Sequence, residues 1–242
     1  MKTDVISMLK TIGRRLRSRI EPIFYFGDRV ACNVCGRTAR SWRRGVENGR
    51  CPNCGCPSRT RLLWRYLVTV AAKHDDWNVV HFAPEPPLER RLRTWGARAY
   101  RTCDLRGTHV DLNADLQRLP FPDGSYDLVV CSHVLEHVPD DRAAMRELRR
   151  ICSSRGRVLI MVPLDPSSPT AEDLSDLPPL ERKRRFGEID HLRMYGSDLV
   201  ELLTTAGFAV TRFDSVNQVP EPERIRNGIA AAETVFVCTP PV

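Results

Sequence analysis

From residue 78 to residue 239 the chain alternates short apolar runs with stretches of helical periodicity. The apolar runs are Asn78–Ala83, Ala97–Asp104, His109–Asn113, Tyr126–Ser132, Arg157–Pro163, Phe208–Phe213 and Thr234–Thr239. Helical spacing is found at 86–95, 139–151 and 196–206. Repeated βα units assemble into a mainly parallel sheet. The pattern therefore predicts an α/β fold with seven strands. The last two runs are joined by a loop at 214–232 without an obvious helix, so they are expected to form an antiparallel pair.

One connection is too long for a routine loop. Residues 164–195 are rich in Pro, Ser, Asp and Arg and lie between a predicted strand and a predicted helix. Structureless connections of this length are uncommon in compact domains and are usually functional or disordered. The segment is therefore expected to be either a lid or a disordered loop.

The cysteines are concentrated near the N-terminus, where five of the nine fall within 25 residues. Cys32-x2-Cys35 is followed, after 15 residues, by Cys51-x2-Cys54. Two such pairs can direct four thiolates at one tetrahedral zinc ion, and a closed four-sulfur site is structural. A redox CxxC motif is the alternative, and Cys56 could replace Cys54 as a ligand. An odd, clustered cysteine set without a secretory signal is typical of a reducing compartment, so a cytoplasmic protein is expected.

Positive charge is also concentrated near the N-terminus. Residues 1–66 hold 15 Lys and Arg against 4 Asp and Glu, whereas the whole chain has a balance of only +7. Residues 4–20 have the apolar spacing of an amphipathic helix with arginines between the apolar positions. Such a helix could contact RNA or an anionic membrane surface, or it could pack on its own protein with its arginines in water. No run approaches 18 uncharged apolar residues, so no transmembrane segment is expected.

One stretch carries a family resemblance. Residues 113–163 read NADLQRLPFPDGSYDLVVCSHVLEHVPDDRAAMRELRRICSSRGRVLIMVP. This string closely resembles the second half of class I S-adenosylmethionine-dependent methyltransferases, most of all the broad group that methylates small molecules. The resemblance extends over about 77–240 and implies a seven-stranded, doubly wound Rossmann-like sheet with an antiparallel last strand. The predicted organisation is a basic helix and linker at 1–29, a zinc-ribbon module at 30–58, a connecting helix at 59–76 and a methyltransferase domain at 77–242.

The resemblance also implies a binding site for S-adenosylmethionine. Asp104, at the end of the second strand, corresponds to the acceptor of the ribose hydroxyls. Asp115 corresponds to the partner of the adenine amino group, with Leu116 beside it. Cys131 ends the fourth strand and is expected to face the sulfonium region. Open α/β sheets bind their ligands at this edge of the strands.

The first-strand loop departs from the family pattern. The family usually has an acidic residue followed by Gly-x-Gly, whereas this chain has His81-Phe82-Ala83-Pro84-Glu85-Pro86. His81 stands where the acid is expected, and the loop contains no glycine. The stretch HFAPEP of this chain, followed by a helix, resembles a variant found in methyltransferases that carry a zinc ribbon. We therefore include His81, Ala83 and Glu85 among the cofactor-site candidates, with Glu85 replacing the missing acid.

Candidate catalytic residues come from two places. His133 follows the fourth strand, at the edge where the site is expected. A second set lies in the string Phe186-Gly187-Glu188-Ile189-Asp190-His191-Leu192-Arg193-Met194-Tyr195-Gly196. A similar string recurs in related zinc-ribbon methyltransferases. His191 is the preferred general base, and Arg193 and Tyr195 are expected to be acceptor or lid contacts. The alternative is a hydrogen-bond network that anchors the lid.

Three functions follow from these features. The first is methyl transfer to a small-molecule or glycan acceptor by in-line displacement, favoured by the resemblance and by the acidic balance of residues 67–242. The second is RNA methylation, with the basic zinc module binding phosphates. The third is a binding module that retains the fold without catalysis.

Overall fold

The computed structural model describes residues 21–70 and 75–241, so the helix expected at 4–20 lies outside the described residues. The described chain divides into two compact units. The first comprises residues 21–70 and 214–233, and the second comprises residues 75–213 and 234–241. The residue ranges of the units show that the C-terminal part of the chain contributes to both of them.

The strands in chain order are β1 (Val30–Ala31), β2 (Thr38–Ala39), β3 (Asn78–Phe82), β4 (Ala99–Asp104), β5 (Leu112–Asn113), β6 (Tyr126–Ser132), β7 (Cys152–Met161), β8 (Ala171–Glu172), β9 (Arg193–Met194), β10 (Ala209–Asp214) and β11 (Thr234–Thr239). The α-helices are α1 (Ser58–Val70), α2 (Pro86–Leu92), α3 (Asp141–Ile151), α4 (Pro179–Phe186), α5 (Leu199–Thr205), α6 (Ser215–Gln218) and α7 (Glu221–Asn227). Short 3-10 turns occupy Glu21–Tyr25, Arg43–Gly45 and Leu135–His137. Among the described residues, no helix combines the length and apolar character of a membrane span.

The second unit is built on a seven-stranded sheet in the order β10-β11-β7-β6-β3-β4-β5. The pairs β3–β4, β3–β6, β4–β5 and β6–β7 are parallel. Strand β11 runs antiparallel to β7, with Phe236 opposite Ile160. The predicted α/β fold with a mostly parallel, seven-stranded Rossmann-like sheet is therefore confirmed.

Apolar burial explains why β6 lies in the middle of this sheet. All seven of its residues are buried, as expected for a parallel strand covered on both faces. Helices α3 and α5 add Met145, Leu148, Leu199 and Leu203 to the same core. Asp140 caps α3, because its carboxylate accepts a hydrogen bond from the backbone N–H of Ala143 at 2.8 Å.

The long connection at 164–195 has regular structure. It contains α4 and the short antiparallel pair β8–β9, with Ala171 opposite Met194. Arg182 is buried and donates hydrogen bonds to the backbone oxygens of Asp173 and His191. Backbone carbonyls of the segment are thus satisfied internally, which explains how so polar a sequence is ordered. Of the two expectations for this segment, a disordered loop is not what the structure shows.

Residues 214–232 also differ from expectation, because this segment contains α6 and α7 instead of an extended loop. Both helices are short, and α7 begins with Pro at its second position and ends at Gly228 in the left-handed conformation. Seven residues are too few to show helical periodicity in sequence. The segment belongs to the first unit, where the backbone N–H of Ala230 donates to Ser58 Oγ at 2.7 Å.

A buried arginine joins the parts of the first unit. Arg61 of α1 is fully buried, and its guanidinium lies 4.1 Å from the ring centre of Trp42. It donates hydrogen bonds to the backbone oxygens of Cys56, Gly49 and Gly228 at 2.6–2.9 Å. Because a guanidinium offers five donors in a fixed plane, one side chain connects the cysteine segment, α1 and the residue after α7.

Candidate functional site

The second unit contains a cavity of about 380 Å³ at the carboxyl ends of β3, β4 and β6. Its lining consists of Phe82, Ala83, Cys103, Asp104, Leu105, Ala114, Asp115, Leu116, Gln117, His133, Val134, His137, Val138, Pro139 and Asp190. Parallel strands bring residues that are distant in sequence to one edge of the sheet, which is where open α/β sheets bind ligands. The volume lies within the range of small-molecule and cofactor sites.

Two carboxylates, those of Asp104 and Asp115, line this cavity. Asp104 ends β4, and its Oδ1 accepts a hydrogen bond from the backbone N–H of Arg106 at 2.9 Å. Asp115 accepts from the backbone N–H of Gln117 at 2.9 Å and from the amide of the same side chain. Each contact fixes the carboxylate but leaves it further acceptor capacity, because an ionised carboxylate can accept about four hydrogen bonds.

The backbone turns sharply at two points of the cavity without glycine. Ala83 after β3 has φ of 44° and His133 after β6 has φ of 56°. Hydrogen bonds hold both turns, from Ala83 N–H to the oxygen of Cys103 at 2.8 Å and from His133 N–H to that of Met161 at 2.7 Å. Left-handed conformations cost free energy in residues with a Cβ and are concentrated at functional sites. The strand end therefore keeps a tight turn although its sequence lacks the usual glycine.

Other cofactor-site candidates lie outside the cavity lining. His81 is buried within β3, and its Nδ1 is 3.0 Å from the hydroxyl of Tyr100. Burial lowers the pKa of His81 to about 3, so the imidazole is neutral at physiological pH. Cys131 is also fully buried, and burial raises the pKa of its thiol. Glu85 precedes α2 at the position that caps the helix.

Three histidines lie at one end of the cavity. His133 and His137 line it directly, and His191 packs edge-to-face on His137 with ring centres 4.8 Å apart. Nδ1 of His191 lies 2.8 Å from the backbone oxygen of Phe186, and the residue is buried. The structure therefore places His133 and His191 near the same part of the cavity, although 58 positions separate them in the sequence.

Tyr195 lies away from the cavity lining. Its hydroxyl donates a hydrogen bond to Asp141 Oδ2 at 2.8 Å, and burial raises the pKa of the phenol. Arg193 is fully buried and donates to the backbone oxygens of Leu135 and Pro139. Both side chains make the contacts of a network that holds residues 193–195 against the turn Leu135–His137.

Three polar residues around the cavity were not among the predicted site residues. Glu136 is fully buried beside His133, and Asp190 and Gln117 are part of the lining. Glu136 and Asp190 stand inside strings that the sequence singled out, but nothing in their spacing indicated that the two strings meet. Cys103 also lines the cavity, and burial raises the pKa of its thiol to about 11, so it stays protonated at neutral pH.

A second cluster lies in the first unit. The Sγ atoms of Cys32, Cys35, Cys51 and Cys54 all lie within 4.8 Å of one another. Cys32 and Cys54 are separated by 3.7 Å, and Cys35 and Cys51 by 3.9 Å. Four thiolates at 2.3 Å from one tetrahedral zinc would be separated by about 3.8 Å. The arrangement of these four atoms therefore fits a tetrahedral metal site.

Part of the chain is similar to known methyltransferases. The family model described as a methyltransferase domain matches residues 70–160. An uncharacterised 37.1 kDa protein in transposon TN4556 of Streptomyces fradiae is 36% identical over 116 residues, which is 46% of this chain and 32% of that protein. The demethylmenaquinone methyltransferase of Thermus thermophilus is 30% identical over 140 residues, which is 55% of this chain and 56% of that enzyme.

A solved structure extends the similarity in fold. The crystal structure of the [4+2]-cyclase SpnF aligns with 94% of this chain and 95% of its own, with a TM-score of 0.50 and 14% identity. At this identity the likeness concerns the fold alone. The chain spans about a third of the transposon protein and just over half of the Thermus enzyme. The similarity to methyltransferases therefore concerns part of the chain, in which residues 70–160 match the methyltransferase domain model.

Proposed function

We propose that the protein transfers a methyl group from S-adenosylmethionine to a small-molecule or glycan acceptor by in-line displacement. The observation that carries the proposal is the cavity at the carboxyl ends of β3, β4 and β6, which has a carboxylate at the end of β4 and another after β5. In this proposal Asp104 accepts hydrogen bonds from the ribose hydroxyls. Asp115 accepts from the adenine amino group, and Leu116 packs beside the base.

In this proposal the turn at Ala83 replaces the Gly-x-Gly loop of the family. Its backbone adopts the left-handed conformation without glycine, and Ala83 lines the cavity. Two residues before Ala83, neutral His81 contacts the hydroxyl of Tyr100 and adds no positive charge to the end of this strand. Glu85 is assigned to the ammonium group of the ligand, as the nearest acid after the first strand.

Bound S-adenosylmethionine would supply an electrophilic methyl group on its sulfonium. The chain's own residues would then supply alignment and exclude water. His133 is the candidate that lines the cavity, and it would accept the proton of a hydroxyl acceptor. His191 does not line the cavity but packs on His137, which does. Tyr195 would act by fixing residues 193–195, because its hydroxyl is engaged with Asp141.

Cofactor binding by a single-residue variant tests this assignment. Asp104→Asn should weaken S-adenosylhomocysteine binding at least tenfold, because an amide can donate as well as accept and carries no charge. Asp123→Asn is the matched control, since its side chain is 81% exposed and does not line the cavity. Isothermal titration measures both variants. Equal affinities for the two variants would remove Asp104 from the site.

The acceptor class is proposed from charge and from the family. Residues 67–242 carry a slight acidic excess, which does not favour binding to phosphates. RNA methylation remains the alternative, with the basic N-terminal region providing the contact. A tritiated-methyl assay against metabolite, glycan and RNA fractions separates these acceptors. Label that appears only in RNA, and is lost at high salt, would favour the alternative.

We also propose that the four-cysteine cluster holds a structural zinc ion. The spacing of its sulfur atoms supports this, and a site with four thiolates leaves no position for substrate. Cys56 is the fifth cysteine, and its Sγ is only 3.3 Å from that of Cys32. That is closer than the roughly 3.8 Å expected for two ligands of one zinc, so we assign Cys54 and not Cys56 to the metal.

The N-terminal arginines are proposed to mediate any contact with RNA or with a membrane surface, as a peripheral interaction. A cytoplasmic location is proposed from the cysteines, which are all free. Binding of the full chain to heparin and to anionic vesicles, each measured at two salt concentrations, tests the contact.

A further inference from the structure

Glu136 is not used by the proposed methyl transfer, and its environment is unusual. The residue is fully buried, and within the described part of the chain neither carboxylate oxygen has a hydrogen bond. Nδ1 of His133 lies 3.1 Å from Oε1 of this carboxylate. A buried carboxylate without hydrogen bonds is costly, so such groups usually pair with a cation or bind a metal.

Two histidines complete a set of possible ligands. One donor atom each from Glu136, His137 and His191 lies within 4.8 Å of the other two. The Nδ1 atoms of His137 and His191 lie 3.3 Å and 2.8 Å from backbone oxygens, those of Asp190 and Phe186. A carbonyl can only accept, so each Nδ1 carries the proton and each Nε2 keeps its lone pair. Histidines that bind metals are oriented in this way by a second contact.

The scaffold that carries these ligands is well fixed. The backbone N–H of Leu192 donates to the backbone oxygen of Glu136 at 2.8 Å. Arg193 donates to the backbone oxygens of Leu135, Val138 and Pro139 and forms an ion pair with Glu172. Four hydrogen bonds thus join residues 135–139 to residues 192–193, next to His191. Fixed supports of this kind are what a metal site needs in order to hold its ligands in place.

We propose that Glu136, His137 and His191 bind a divalent transition-metal ion beside the cofactor cavity. Two imidazoles and one carboxylate suit zinc, iron, cobalt or manganese, whereas calcium and magnesium prefer sites built entirely from oxygen ligands. Three protein ligands leave coordination positions open, unlike the four-cysteine cluster. His137 and Asp190 line the cavity, so an ion there could hold an oxygen atom of an acceptor. Only this last role depends on the proposed methyl transfer.

Metal binding by the full chain tests the site without any activity measurement. Equilibrium dialysis against Co²⁺ alone, followed by elemental analysis, counts the bound equivalents. The near-ultraviolet thiolate absorption separates cobalt bound to cysteine from cobalt bound to nitrogen and oxygen. In the wild-type protein we expect one equivalent of cobalt whose binding adds no thiolate absorption. In His137→Asn and in Glu136→Gln we expect the affinity for this cobalt to fall at least tenfold. His109→Asn is the matched control, because His109 is exposed and lies outside the cluster.

Folding is followed in the same samples. The side chain of His137 is 37% exposed, so its replacement should leave the thermal midpoint within a few degrees of the wild-type value. Binding of S-adenosylhomocysteine is measured as well, because its loss would count against the proposed function and not against the metal site. Wild-type protein that binds no cobalt outside the cysteines, or a His137→Asn variant that binds it equally well, would overturn the proposal.

Discussion

The two units of the molecule are organised by different interactions. In the first unit, four cysteines and one buried arginine connect segments with almost no regular strand structure. In the second unit, seven strands and the helices packed on them bury an extended apolar core. Small modules usually need a metal or disulfides, whereas a larger sheet can be stabilised chiefly by apolar burial. The comparison predicts that perturbations of one kind affect the two units very unequally.

Metal removal should produce the largest difference. Chelation, or Cys51→Ser, should unfold the first unit, because structural zinc contributes about 10–16 kcal/mol of binding free energy to small modules. Hydrogen exchange followed by mass spectrometry should show lost protection in residues 30–58 and 214–233 and unchanged protection in β6 and β7. Cys56→Ser is the control and should retain the metal. Equal loss of protection in both units would contradict the comparison.

A single methyl group at Gly228 should cause the next largest effect. A Cβ there would overlap the indole of Trp42, and the backbone has φ of 59°. Left-handed strain and overpacking together predict that Gly228→Ala destabilises the first unit by about 3 kcal/mol. Gly45→Ala provides the control, because φ is 63° there but nothing lies within 4 Å of the added atom. The difference between the two midpoints in denaturant measures the steric part, and identical midpoints would refute it.

Acid should destabilise the second unit through His81. Its pKa is lowered to about 3 by burial, whereas an unfolded histidine titrates near 6.5. Between these two values the unfolded state binds the extra proton, so stability falls as the pH falls, with a slope approaching about 1.4 kcal/mol per pH unit. At pH 5 this amounts to about 2 kcal/mol. His81→Asn removes the titrating group, and the slopes of the two proteins are compared by denaturant unfolding. Parallel slopes would show that His81 does not titrate in this way.

The smallest effect concerns the turn after β3. Ala83→Gly should stabilise the second unit by about 1 kcal/mol or less, because glycine adopts positive φ without strain but loses more chain entropy on folding. Calorimetry measures the shift of the thermal midpoint. A clear destabilisation would mean that the Ala83 methyl group makes a packing contribution larger than the strain it causes.

Different features of the sequence predicted the two units, and they did so to different extents. Apolar runs located the strands of the second unit, because parallel strands covered on both faces are nearly continuous apolar segments. The four-cysteine cluster could also be predicted, because the spacing within each cysteine pair is a local feature of the sequence. Helices α6 and α7 were not predicted, because four and seven residues show no periodicity and their contacts are with residues far earlier in the chain.

The candidate site was predictable only where it follows strand ends. Asp104 and Asp115 could be placed at the carboxyl edge of the sheet once the strands were known. The burial of Glu136 and its proximity to His191 could not, because these depend on how residues 190–195 fold back on the turn Leu135–His137. Polar clusters that join two distant segments are a product of tertiary structure, and no local pattern specifies them.

Isothermal titration of the wild-type protein with S-adenosylmethionine tests the central claim most directly. The account predicts saturable binding with one ligand per chain and displacement of the ligand by S-adenosylhomocysteine. It also predicts that the affinity survives removal of the metal from the cysteine cluster, because the cavity belongs to the second unit. The absence of binding heat, together with no competition by S-adenosylhomocysteine, would contradict the assignment of this cavity to the cofactor.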